Sequence, residues 1–119
     1  MKKFLAVYLG SESSMKKWEG LDEKAIKARE QEGIQAWGNW VKKHEKSIVE
    51  MGSPVGKTLL VNAKGISKTK NALTAYTVVQ AESHEAAAKL FEGHPHFSVF
   101  PGESVEIMEC LPIPGMDQR

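Results

Sequence analysis

The chain has 119 residues, and its 16 Lys and Arg against 15 Asp and Glu leave a formal net charge of +1. That length builds a single domain, residues 1–119, whose core needs neither metal nor disulfide. The balanced charge excludes a broad basic footprint on nucleic acid, and no apolar run is long enough for a bilayer-spanning helix, so neither nucleic acid nor membrane is an expected partner.

Lys3 to Leu9 is apolar at nearly every position and rich in residues that favour extended structure, which predicts a first strand covered on both faces. Met1, Lys2 and Lys3 before it only imitate a signal peptide, because the apolar stretch is short and no small-x-small cleavage site follows. Gly10 and the serines after it end the strand. Asp22 is a natural N-cap, and a helical period runs from there towards Met51. Gly33 and Gly38 each cost roughly 1 kcal/mol relative to alanine in a helix interior and mark a break or kink. Ile34, Trp37, Val41, His44, Ile48 and Met51 alternate spacings of three and four and so share one helical face. Gly52 and Pro54 form the stop signal.

Val55–Ala63 and Leu73–Ala81 read as strands joined by the polar Lys64–Asn71 link, most simply as an antiparallel hairpin with Lys64, Lys68 and Lys70 at a solvated tip. The run Gly52-Ser-Pro-Val-Gly-Lys-Thr58 imitates a phosphate-binding loop, but it lacks one residue between the glycines and leads into a strand instead of a helix. Nucleotide binding is not expected there. Ser83 caps a helix through about Glu92, which Gly93 and Pro95 terminate. Val105–Leu111 is the last strand, with Cys110 read as a small buried hydrophobe. As the single cysteine it excludes an internal disulfide and fits a reducing, cytoplasmic setting.

The order β, long α, β, β, short α, β is the signature of the α+β, ferredoxin-like split unit, one antiparallel sheet with both helices on one face. Leu5, Val7 and Leu9 make the other face of the first strand apolar as well. That predicts a homodimer packed sheet to sheet.

Together with this order, the helix bearing Trp37, Trp40, Val41, Lys43 and His44, the strand from Tyr76 to Ala81 followed by Ser83 to Leu90, and the closing Val105-Glu106-Ile107-Met108 strand leading to Leu111-Pro112-Ile113-Pro114-Gly115 resemble the YCII-related family. The resemblance covers nearly the whole chain. It implies a dimeric α+β barrel on the ferredoxin-like fold, and it gives His44 the role of the family's recurrent helical histidine, part of a His and Asp site.

His44 is accordingly the candidate catalytic residue, an imidazole on an apolar seam whose protonation burial would tune. Trp37 and Trp40 are candidate flat walls for a ligand, although tryptophan at helical spacing is more often core. His94, His96 and Phe97 sit in a loop that borders the cleft in the family, which makes them candidate ligand contacts. A three-histidine metal set of His44, His94 and His96 lacks a carboxylate to orient it, so no metal and no cofactor is assigned. The expected function is that of a cofactor-free, lyase- or isomerase-like enzyme acting on a small organic metabolite. The alternative is a noncatalytic small-molecule-binding or regulatory dimer.

Overall fold

The computed structural model describes residues 1–115. The elements are β1 (Lys2–Leu9), α1 (Glu12–Met15), α2 (Glu23–Lys43), β2 (Ile48–Glu50), β3 (Thr58–Asn62), β4 (Gly65–Thr69), β5 (Leu73–Ala81), α3 (His84–Lys89), α4 (Pro95–Ser98) and β6 (Ser104–Glu109). Four strands form an antiparallel sheet in the order β2-β5-β1-β6, and β3 and β4 form a separate two-stranded sheet. The result is a mixed α+β structure with antiparallel sheets, compatible with the ferredoxin-like fold. Among the described residues no helix is long and apolar enough to cross a membrane.

β1 occupies the middle of the sheet because it is apolar on both faces. Phe4, Ala6 and Tyr8 point to the helices and are fully buried with Val79 of β5, while Ala87 and Phe91 close the core from above. Leu5 and Val7 face the other way, opposite Val78 and Tyr76 of β5 and Met108 and Glu106 of β6. Among the described residues the core is built on the Phe4, Ala6 and Tyr8 side, and on the other side Val7 is 9% exposed.

α2 starts where its cap is written: Asp22 Oδ1 accepts the Ala25 amide at 2.7 Å, worth about 1 kcal/mol. Gly33 causes no break. The ring of Phe100 lies where a Cβ at position 33 would sit, so glycine here serves close packing. Trp40 is buried, and its Nε1–H donates to the Leu90 carbonyl at 2.8 Å, which ties α2 to the end of α3. α3 begins at its expected cap, Ser83 Oγ accepting the Ala86 amide. His84 Nε2–H donates to the Ile107 carbonyl at 2.7 Å and fastens the edge strand β6.

Three further expectations are overturned by the structure. The long helix ends at Lys43 instead of reaching Met51. His44 is its C-cap, and after a short turn over Glu45–Ser47 the chain becomes β2, because Ile48 and Val49 are β-branched and find an edge to pair with on β5. The second error concerns pairing: Leu73–Ala81 does not pair with the preceding strand but lies between β1 and β2, whereas β3 pairs with β4 from within the supposed link. Thirdly, Cys110 is exposed, just past the end of β6.

The β3–β4 hairpin projects from the body as an arm. The radius of gyration, 16.5 Å, exceeds the about 13.5 Å expected of a compact chain of this length, in keeping with that projection.

Candidate functional site

Three segments converge beneath α2: the turn after β2, the start of β5 and the α4 loop. Gly52 makes the turn. Its φ of +71° suits glycine, and a Cβ there would run into the Tyr76 carbonyl, so the backbone closes tightly enough to bring the Met51 carbonyl over β5. Thr77 Oγ1–H donates to that carbonyl at 3.1 Å.

The hydrogen bonding inward from Thr77 has a single direction. Because the Met51 carbonyl can only accept, Thr77 Oγ1 accepts in turn from Tyr8 Oη–H at 2.9 Å. His94 is fully buried and caps α4 with its own ring: Nδ1 accepts the His96 amide at 2.9 Å. Its proton therefore sits on Nε2, directed at Tyr8 Oη 3.5 Å away. Trp37 and Trp40 meet the same imidazole edge-on, each with ring centroids 4.5 Å from it, and Phe91 stacks on it at 5.8 Å.

Burial first, then the neighbouring His96 and His44, pushes the His94 pKa down to about 3. Burial pushes Tyr8 up to about 12, against a smaller opposing effect of its bond to Thr77. Both groups are neutral near pH 7. His94 thus holds Tyr8 and α4 in place and is not poised to exchange protons there.

His96 differs from His94 in what it faces. Its Nε2–H donates to the Leu9 carbonyl at 2.8 Å, at the point where the β1–β5 register slips, and its ring packs onto Gly102, where a Cβ would collide with it. Burial lowers its pKa, while backbone bonds to Leu9 and Ser104 favour the charged form. With Nε2 protonated, the neutral ring keeps its lone pair on Nδ1. His96 also borders a cavity of about 660 Å³ that Trp37, Val41, Tyr76 and Phe100 line with mostly apolar surface. Lys42 supplies a cation at its margin. The volume lies within the range of small-molecule sites.

The candidate residues are therefore divided. Trp37 and His96 border the cavity, as do Ile34, Val41 and Met51 of the helical seam. Trp40 and His94 stand behind that wall in the core. Phe97 is half-buried beside His96, with ring centroids 6.5 Å apart. His44 is half-buried at the C-cap of α2, its ring 5.1 Å from that of Trp40, and it does not border the cavity. Burial, then Lys43, lowers its pKa. Among the described residues no three His, Cys, Asp or Glu side chains converge to hold a metal ion.

Sequence reasoning passed over Tyr8 and Thr77, which read as ordinary strand residues. The available signal was a phenol and a hydroxyl on the inward faces of the two central strands, where a buried polar group requires a partner. Tyr76 and Lys42 were also missed as cavity residues, since their place depends on a turn that the supposed long helix would have precluded.

Fold and cavity together define an α+β protein with an aromatic-walled pocket between its long helix and one end of its sheet. A solved structure with this fold is the 5-chloro-2-hydroxyhydroquinone dehydrochlorinase TftG from Burkholderia phenoliruptrix AC1100, in complex with 2,5-dihydroxybenzoquinone. It matches 97% of this chain and 99% of its own with a TM-score of 0.52 at 14% sequence identity, a likeness of fold. No family model matches the sequence, and no curated protein matches it either.

Proposed function

We propose that this chain is a YCII-related protein that binds a small, largely apolar, ring-shaped organic molecule in the cavity beneath α2 and acts on it as a cofactor-free, lyase- or isomerase-like enzyme. One observation carries the reading: an imidazole, that of His96, borders an apolar cavity otherwise walled by Trp37, Tyr76 and Phe100. Flat walls select a flat ligand, and Lys42 at the margin favours an anionic oxygen. The fold neighbour, solved with a dihydroxybenzoquinone, supports a ligand of that class.

In this proposal His96 Nδ1 takes a proton from the bound molecule and returns it at a neighbouring atom. The Leu9 and Ser104 backbone steadies the imidazolium between the two transfers. The acid–base role first read for His44 passes to His96 because His96 is the imidazole at the cavity, and His44 serves to back the Trp40 ring. The chain works as a homodimer through the uncovered sheet face around Leu5, Val7, Val78 and Met108, completing a dimeric α+β barrel.

The noncatalytic alternative has its own support, since none of the residues lining the cavity is Asp or Glu. A thermal-shift screen with 2,5-dihydroxybenzoquinone and related hydroxylated rings tests the site. Gly38 borders the cavity and has open space where a Cβ would go, so Gly38→Leu fills the pocket without disturbing the helix. The wild-type melting temperature should rise with ligand and that of Gly38→Leu should not. An equal rise in both would remove the cavity from consideration. Chromatographic product analysis then separates the readings: turnover lost in His96→Gln with binding retained marks the enzyme, and binding without product in the wild type marks the module.

A further inference from the structure

The β3–β4 arm carries a surface that its own protomer leaves unused. Leu59 and Val61 of β3 and Ile66 of β4 share one face, Val61 directly opposite Ile66, and they are 64%, 71% and 72% exposed. An isolated two-stranded hairpin is at best marginally stable in water, so an apolar strip on such an arm calls for a surface to cover it. Between Met51 and Ala81 the chain has no acidic residue but contains Lys57, Lys64, Lys68 and Lys70. At the base of the arm an open groove of about 670 Å³ has Leu59 and Leu73 for apolar lining and Lys57, Lys68 and Lys70 among its borders.

The complementary surface is on the same chain. From Leu90 to Gly115 there is no Lys or Arg, while Glu103, Glu106 and Glu109 are exposed along and beside β6. β6 is an edge strand of the four-stranded sheet whose outward Ile107 carbonyl is taken by His84, and Met108 presents an exposed apolar side chain on the face it shares with Glu106.

We propose that the β3–β4 arm of one protomer reaches over β6 of a second copy, covering Met108 with the Leu59, Val61 and Ile66 strip and setting its lysines against Glu103, Glu106 and Glu109. The second copy is the occupant because basic arm and acidic edge are carried by every chain, and two-fold pairing then satisfies two arms and two edges at once. The inference rests on the homodimer proposed above and adds a contact to it.

A charge swap tests it. One variant carries K64E, K68E and K70E, the other E103K, E106K and E109K, and sedimentation equilibrium measures the dimer dissociation constant of each alone and of their equimolar mixture. Alone, each juxtaposes like charges at both arm–edge contacts and should dimerise at least about tenfold more weakly than wild type. Mixed, arm and edge are opposite again at both contacts, and dimerisation should return towards the wild-type value. Wild-type affinity in both single variants, or a mixture no tighter than either alone, overturns the arm contact while leaving the sheet-face dimer standing. A wild-type protein that is monomeric throughout the concentration range overturns both. Unchanged dimerisation with affinity for a single-stranded oligonucleotide lost only in the arm variant would make the arm a polyanion-binding element and overturn the proposal. Circular dichroism confirms folding, since all substituted positions are exposed.

Discussion

The cluster around His94 and the β3–β4 arm are opposite solutions to the same requirement. In the cluster every ring has another ring against it, and among the described residues no buried side-chain nitrogen or oxygen lacks a hydrogen-bond partner. On the arm, backbone groups pair within the hairpin while Leu59, Val61 and Ile66 are mostly exposed. The comparison teaches that the cluster is closed upon itself, whereas the apolar strip of the arm is left open by its own protomer. Stability should therefore be concentrated in the first region and association in the second.

The sharpest test of the closed region is Trp40→Ala. It removes a buried indole that packs on Phe91 and His94 and leaves the Leu90 carbonyl without its donor. A cost of about 4 kcal/mol in urea unfolding is expected. A cost below about 1 kcal/mol would show that the cluster is loosely packed.

Much of the closed region was legible in the sequence. Asp22 and Ser83 cap helices through local side-chain bonds, which a short stretch of sequence contains in full. The apolar run of Lys3 to Leu9 likewise announced a strand, observed as β1. The end of α2 was not legible, because Ile48 to Met51 continues the helical period and turns to strand only through pairing with β5, a non-local event. The arm failed to appear for the same reason: β3 was recognisable as a strand, but the identity of its partner is not a property of its own residues. The site followed the fold. Trp37 and His96, singled out by residue type, border the cavity, whereas His44 lies at the C-cap of a helix that ends earlier than its period suggested.

Acid tests the closed region through a single imidazole. Folding lowers the His94 pKa to about 3 from the ordinary 6.5, so the unfolded chain binds more protons between those values. The stabilisation is fully present above pH 6.5 and is lost as pH falls through the window towards 3. On the order of 3 kcal/mol should disappear between pH 7 and pH 4 in urea titrations. His96, whose pKa is also lowered, adds to the loss in the same direction. His94→Gln, less stable at pH 7, should show a much flatter dependence over that range. An equal slope in both proteins would mean that the His94 imidazole is not held neutral by the rings around it.

The smallest effect on folding is expected on the arm. Val61→Ser exchanges an isopropyl group that is 71% exposed for a hydroxyl, and in the isolated protomer it removes almost no buried area. Unfolding followed at nanomolar concentration, where protomers are apart, should change by less than about 0.5 kcal/mol. If the arm contact proposed above forms, the same substitution should lower the melting temperature at high micromolar concentration, because a second copy that binds only the folded state stabilises by mass action and would bind less tightly. The two concentrations together decide the matter. A cost that is large and independent of concentration would mean that Val61 packs within its own protomer, and the arm would then belong to the closed region after all.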